Sequence, residues 1–448
     1  MLISRRRRLS NLALALTVIA QLSATGCGSP PASTELPDER QEKIQQANVD
    51  TEGRKAFEPS GEEGEPDTVT AAQNEELNQF FAALGTAFDT ADADLMFSLL
   101  SIDLVIKRAI QSGIHPTGQQ QQFLQGLEVR MRKAFPQLSK TIQFDQYRLV
   151  KVKRLAGGDV IAHVRFWDDD LKLETPMRWW LHPDSSADQK WTAYDYENFG
   201  VNLRMSTLMS LVLSDAGQGE LPPWVKDVRD LFFSAQTLFQ NNDPDTLANV
   251  RSTAKRVLQH RPPDSILGFV ELVLASTYMY EGESEQALKH LEKMEQVDPG
   301  APMIHWMRAD NFHTLGQWDQ ALANIDKYVQ LLGWDADLHQ IAADSWLAKG
   351  DAERSRKHAE EGLALVPQSI GCLCSLAAAC PAAEAPQVCQ RIEKLDDPES
   401  GFESVIDYLM SIENLDLARA YAAELKQAFP GSELNSYYDE ELAGAGSP

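Results

Sequence analysis

The sequence predicts two folded parts in series: an α+β domain, helices first and then an antiparallel meander, followed by an all-α solenoid of repeated helix pairs. Three observations predict it. Gly282, Gly316 and Gly350 stand thirty-four residues apart, and Ala275, Ala309 and Ala343 keep the same step. Upstream, apolar residues fall at helical spacing from about residue 71 to 135 and then alternate with period two from Val160. Asp215 to Pro223, rich in Gly, Pro and acid, separates the two patterns as a linker.

At the start, Arg5 to Arg8 precede an apolar run from Leu12 to Ala20. That run is too short to span a bilayer, which takes about 20 apolar residues. Residues 1–26 therefore read as a secretory signal peptide. Ala24-Thr25-Gly26-Cys27 resembles a bacterial lipobox, with Ala24 where leucine is usual. The resemblance implies lipidation of Cys27 and a lipid anchor on the periplasmic side of the bacterial cell envelope. Ala24 and Gly26 also fit ordinary signal cleavage, which would release a soluble exported protein. Residues 27–70 are rich in Pro, Ser, Gly and Glu and nearly free of aromatics. They cannot bury enough apolar surface to offset their ordering entropy, so the segment is expected to be a disordered spacer.

The domain expected over 71–213 opens with three helical stretches. They are Ala71 to Phe88, Asp92 to Gly113 with Asp92 or Asp94 as its cap, and about Gln119 to Phe135. Gly157-Gly158-Asp159 then signals a hairpin turn before a strand in which Val160, Ala162, Val164 and Phe166 alternate with Ile161, His163, Arg165 and Trp167. Further strand runs follow at Leu171 to Leu181 and Trp191 to Tyr196. This order resembles the cystatin-like cone of the nuclear-transport-factor-2-like superfamily, which implies a bent sheet around a long helix. That superfamily hosts enzymes, ligand binders and interaction modules, so function must come from a site. Trp179, Trp180, Trp191 and Tyr194 could line a pocket in such a cone, or pack its core. His163 reads as a core or face histidine, and Asp168 to Asp170 as a solvated hairpin tip, since the EF-hand pattern is missing.

The repeat array is expected over 224–435, with about five repeats. The first, irregular one is broken near Asn241 to Pro244. Regular repeats span about 268–301, 302–335 and 336–369. A fourth is shortened at Pro381, and a fifth keeps Ala418 and Pro430 twelve residues apart. Tyr278, Phe312 and Trp346 repeat in register, as do Ala287, Ala321 and, in third place, Ser355. A 34-residue period of these residue types resembles the tetratricopeptide repeat, a pair of antiparallel helices. Small residues let the two helices approach. Glycine ends the first helix by accepting positive φ, and Pro299 and Pro367 close the second. Residues 436–448 are expected to be a frayed tail.

In that family the first helices line an inner groove. The matching positions here include Phe269, Leu272, Ser276 and Met279; Met303, Trp306, Asp310 and His313; and Asp337, Gln340, Asp344 and Leu347. None is Lys, Arg or Asn, so the carboxylate clamp of some family members is not expected. An apolar, Met-bearing groove edged by acids suits an extended segment with apolar side chains or a basic residue.

Composition narrows the partner class. The formal charge of −25 becomes −29 once Arg5 to Arg8 are removed, which disfavours nucleic acid and a broad hold on anionic lipid. Setting Cys27 aside leaves Cys372, Cys374, Cys380 and Cys389 in a spacing that matches no standard zinc site. In an exported protein a disulfide is permitted, with Cys380 and Cys389 the favoured pair across the turn at Pro381; buried free thiols are the other reading. No catalytic motif, cofactor loop or H-E-x-x-H is present. The expectation is a non-enzymatic envelope scaffold without cofactor or metal that binds a protein or peptide. The alternative is a ligand-binding or catalytic domain over 71–213 whose repeats serve oligomerisation.

Overall fold

The computed structural model describes residues 70–111, 126–139, 146–155, 157–168, 173–183, 190–200, 202–209, 223–240 and 243–444. The signal peptide, Cys27, the spacer and the linker's Asp215 to Pro222 lie outside them. The chain divides into two compact units, one ending at Met303 and the other running from Ile304.

In the first unit, α1 (Ala71–Asp89) starts at a reciprocal cap. Thr70 Oγ1 accepts from the Gln73 N–H at 3.2 Å, and Gln73 Oε1 accepts from the Thr70 N–H at 3.1 Å. The second stretch, expected as one helix, is two: α2 (Ala93–Leu99) and α3 (Ile102–Gln111). Asp92 caps α2, accepting from the Asp94 and Leu95 N–H groups. Leu100 breaks the run because it is extended (φ −116°) and bridged to Ala193, and the Ser101 N–H donates to the Ala193 carbonyl. Of the third expected helix, about Gln119 to Phe135, residues 119–125 lie outside the described residues, and α4 spans Leu127–Leu138.

The meander follows as expected: β1 (Gln146–Arg154), β2 (Val160–Asp168), β3 (Leu173–Pro183) and β4 (Trp191–Asn198), with a short β5 (Leu203–Arg204). All pair antiparallel in chain order. Val160, Ala162, Val164, Phe166, Trp179 and Trp191 share one core with Leu77, Phe81 and Leu84 of α1. The opposite face is also buried, with Ile161, Trp180 and Tyr194 packed beside Leu104 of α3.

The first helix pairs belong to the same unit as the sheet. They are α5 (Pro223–Gln240) with α6 (Pro244–Gln259), and α7 (Asp264–Tyr280) with α8 (Ser284–Val297). Leu203 and Leu208 share a core with Val228, Phe232 and Phe269. The compact division therefore falls two helix pairs beyond the linker at 214–223 where the sequence places it.

The second unit contains α9 (Pro302–Thr314) from Ile304 on, α10 (Trp318–Leu332), α11 (Ala336–Ala348), α12 (Ala352–Leu365), α13 (Ile370–Ala379), α14 (Ala385–Ile392), α15 (Pro398–Ser411) and α16 (Leu415–Ala428). The repeat register is borne out locally. Gly282, Gly316 and Gly350 have φ of 77°, 70° and 82°. In each, the N–H after the glycine donates to the carbonyl of Tyr278, Phe312 or Trp346 at 2.8–2.9 Å, a Schellman turn repeated in register. Ala275, Ala309, Ala343, Ala287, Ala321 and Ser355 are all fully buried at the helix contacts. The tail corrects its expectation: Leu434–Gly444 form α17, anchored by Tyr438 at 1 % exposure and Leu442 at 5 %. A periodicity argument misses this because a single short helix needs only two apolar anchors.

Candidate functional site

The first helices of the pairs place the predicted groove positions unevenly. Phe269 is fully buried, its ring centroid 6.0 Å from that of Phe232, and Leu272 is buried as well. Phe269 shares a core with Val228 and Phe232 of the preceding pair, and neither it nor Leu272 is open as a groove position. Met279 is also buried, while Met303, Trp306, Asp337, Gln340 and Leu347 are half-buried. Asp310 and His313 are buried; His313 Nδ1 lies 3.1 Å from Ser345 Oγ, and its ring lies 5.1 Å from that of Trp318.

Asp344 departs most from its expected role as a rim carboxylate. Its Oδ1 accepts from Ser375 Oγ at 2.6 Å and Tyr408 Oη at 2.7 Å. Burial raises its pKa against these bonds. The side chain thus ties α11 to α13 and α15. Gln340 packs over Gly371, where an added Cβ would lie 1.9 Å from its Oε1.

Among the described residues the cysteines are four free, buried thiols, so the Cys380–Cys389 bridge is not made in this structure. Burial pushes Cys372 and Cys389 up to about 12 and raises Cys374 and Cys380. Cys372 Sγ donates to the Ala336 carbonyl at 3.1 Å. Protonated thiols in an apolar core behave as small hydrophobes.

Another cluster lies between α11 and α12. His339 Nδ1 is 3.2 Å from His358 Nδ1, and Glu361 Oε2 is 3.7 Å from both. The Trp334 ring stacks on His339 at 4.4 Å and lies 5.0 Å from His358. Burial, then His358, pushes His339 down to about 4, and burial lowers His358. Sequence analysis assigned no metal ligands and missed this cluster. A signal existed: His339 and His358 occupy the same repeat positions as Glu271 and His290, whose side chains meet at 2.5 Å in the preceding unit's last pair.

In the sheet domain, the four aromatics proposed for a pocket are core. Trp179 and Trp191 are 3 % exposed, and Trp180 and Tyr194 are 1 % exposed. Trp179 stacks on Tyr196 at 4.8 Å. The covered face of the sheet holds charge instead. Arg178 Nε donates to Glu197 at 2.6 Å, and its Nη2 reaches Asp298 of the first regular repeat at 3.4 Å. Asp195 accepts from the Ser206 N–H and hydroxyl. The guanidinium carbons of Arg108, Arg178 and Arg204 lie 5.3, 4.9 and 4.6 Å from the Trp180 ring. His163 is a core histidine, stacked on Phe199.

No family model matches the chain, and no curated protein matches it. Among solved structures, it is similar to pilF of Pseudomonas aeruginosa at 15 % identity, over 48 % of this chain and 98 % of that one, with a TM-score of 0.34. A tetratricopeptide repeat protein of Parabacteroides merdae aligns at 14 % identity over 54 % and 91 %, with a TM-score of 0.36. Yeast Tom70 aligns at 11 % identity over 97 % and 96 %, with a TM-score of 0.27. The repeat assignment rests on the chain's own registered turns.

Proposed function

We propose that this protein is a non-enzymatic scaffold that holds a protein or peptide on the first-helix face of its repeat array. In this reading it is exported and held at the cell envelope by a lipid on Cys27. The observation that carries it is the repeat itself. The Schellman turn at Gly316 recurs at Gly350 within the unit that runs from Ile304, so that one face of each first helix there recurs. On that face Met303, Trp306, Asp337 and Gln340 remain half-buried, a mixture of adaptable sulfur, aromatic surface and polar groups suited to an extended chain. Phe269, Leu272, Met279, Asp310, His313 and Asp344 are buried and drop out of the contact set, which leaves the half-buried positions. The strong negative charge favours a partner segment that is apolar or basic. A ligand pocket lined by Trp179, Trp180, Trp191 and Tyr194 gains no support, since those rings fill cores. The test is Trp306→Ala in the native host. Loss of a cross-linked partner by tenfold or so, with unchanged thermal unfolding, is expected for an aromatic anchor. Unaltered capture by the variant would overturn the assignment.

A further inference from the structure

We propose that His339, His358 and Glu361 form a binding site for one divalent transition-metal ion of the zinc class, clasping α11 to α12. The donors come from both helices of one pair: His339 from the first, and His358 and Glu361, three residues apart on one face, from the second. Their ligand atoms already converge, at 3.2 Å between the two Nδ1 atoms and 3.7 Å from each to Glu361 Oε2. Zinc bound at about 2.0–2.2 Å in tetrahedral geometry puts its ligands about 3.4 Å apart, so the observed spacings bracket the requirement. Two imidazoles facing Nδ1 to Nδ1 satisfy one another with a single proton at best, whereas an ion would use both lone pairs.

The surroundings hold the donors in place. Trp334 stacks face to face on His339 and closes one wall beside His358. Gly362 allows the helices to meet here, since a Cβ at that position would come within 3.0 Å of His339 Cβ and 2.4 Å of Cys372 Sγ. Among the described residues, this is the one group of three His, Cys, Asp or Glu side chains whose ligand atoms gather so closely. Two nitrogens and one oxygen select zinc, cobalt, nickel or copper over magnesium or calcium. Exposure rises from 4 % at the His339 side chain to 18 % at His358 and 46 % at Glu361, so the fourth position faces solvent and takes a water.

The test uses the full chain, stripped with a chelator and then titrated with Zn²⁺ against a chromophoric competitor, with Co²⁺ as a spectroscopic stand-in. The wild type is expected to take up one protected equivalent, to give a tetrahedral Co²⁺ spectrum, and to unfold at higher temperature with zinc than without. His358→Gln should weaken binding about 100-fold and Glu361→Gln about 10-fold, each reducing the thermal shift, the histidine variant more. Because Glu361 is half exposed, its variant keeps the fold even if the histidine variant does not. Wild-type and Glu361→Gln proteins with equal zinc affinity, or a wild type that takes up no metal, would overturn the site.

Discussion

Residue by residue, the array shows where its own repeat pattern is broken and what that costs. Ser355 stands where Ala287 and Ala321 pack, and its buried Oγ has no hydrogen-bond partner. Glu413 holds φ of 59° in a turn wired like those at Gly282, Gly316 and Gly350, with the Asn414 N–H donating to the Leu409 carbonyl. An L-residue in that region is strained by about 1–2 kcal/mol, partly offset because glycine gains more freedom when unfolded. Restoring the pattern should therefore stabilise: Ser355→Ala by about 1 kcal/mol and Glu413→Gly by about 0.5–1 kcal/mol, read from urea unfolding midpoints. A loss of stability in both would show that the departures serve the fold. Sequence could flag Ser355 from its register. Glu413 could be flagged too, since it stands five residues before Ala418 as Gly282 stands before Ala287, but only its φ shows that the turn is kept.

At the scale of elements, the ends of the array depend on partners that periodicity cannot see. The helix α17 covers the last pair through Tyr438, whose hydroxyl donates to Asp407 Oδ1 at 2.8 Å and lies 3.2 Å from the Glu403 carbonyl oxygen. Lys426 and Asp439 add an exposed pair, of small value in water. Tyr438→Phe should cost about 1.5–3 kcal/mol through the lost bond to a carboxylate, and Tyr438→Ala about 3–5 kcal/mol through the added cavity. Circular dichroism melts of the two variants check this, and a silent Tyr438→Ala would mean the terminal helix is dispensable. The same logic explains the split between α2 and α3. A continuous apolar pattern read as one helix, yet Leu100 is worth more bridged to Ala193 than continued in a helix.

Across the whole molecule, the sheet buries charge on the face away from α1, and this sets the stability's response to acid. His163 is buried among that face's groups, and burial, then Arg178, pushes its pKa down to about 3 from an ordinary 6.5. A base with a depressed folded value stabilises the fold fully above pH 6.5 and loses that contribution as pH falls toward 3. The loss approaches about 1.4 kcal/mol per pH unit in that window. His163→Gln should flatten this part of the stability curve, measured by urea unfolding at stepped pH; an unchanged slope would place the acid response elsewhere. The Arg178–Asp298 contact also joins the sheet to the first regular repeat, which is why no boundary falls at the linker.

By itself the sequence determined the helix-pair repeat, its glycine turns and small-residue contacts, and the antiparallel meander. Each is a local rule: a backbone angle only glycine takes easily, a contact only alanine fits, an alternation only a strand presents. Tertiary structure alone decided which faces were left open. Phe269 and Asp344 occupy the same kind of helix position as Trp306, yet one is covered by the preceding pair and the other is bound by Ser375 and Tyr408. Burial depends on residues distant in the chain, and no spacing rule carries that information; the repeat register could pair His339 with His358, but only the fold puts Glu361 Oε2 beside both.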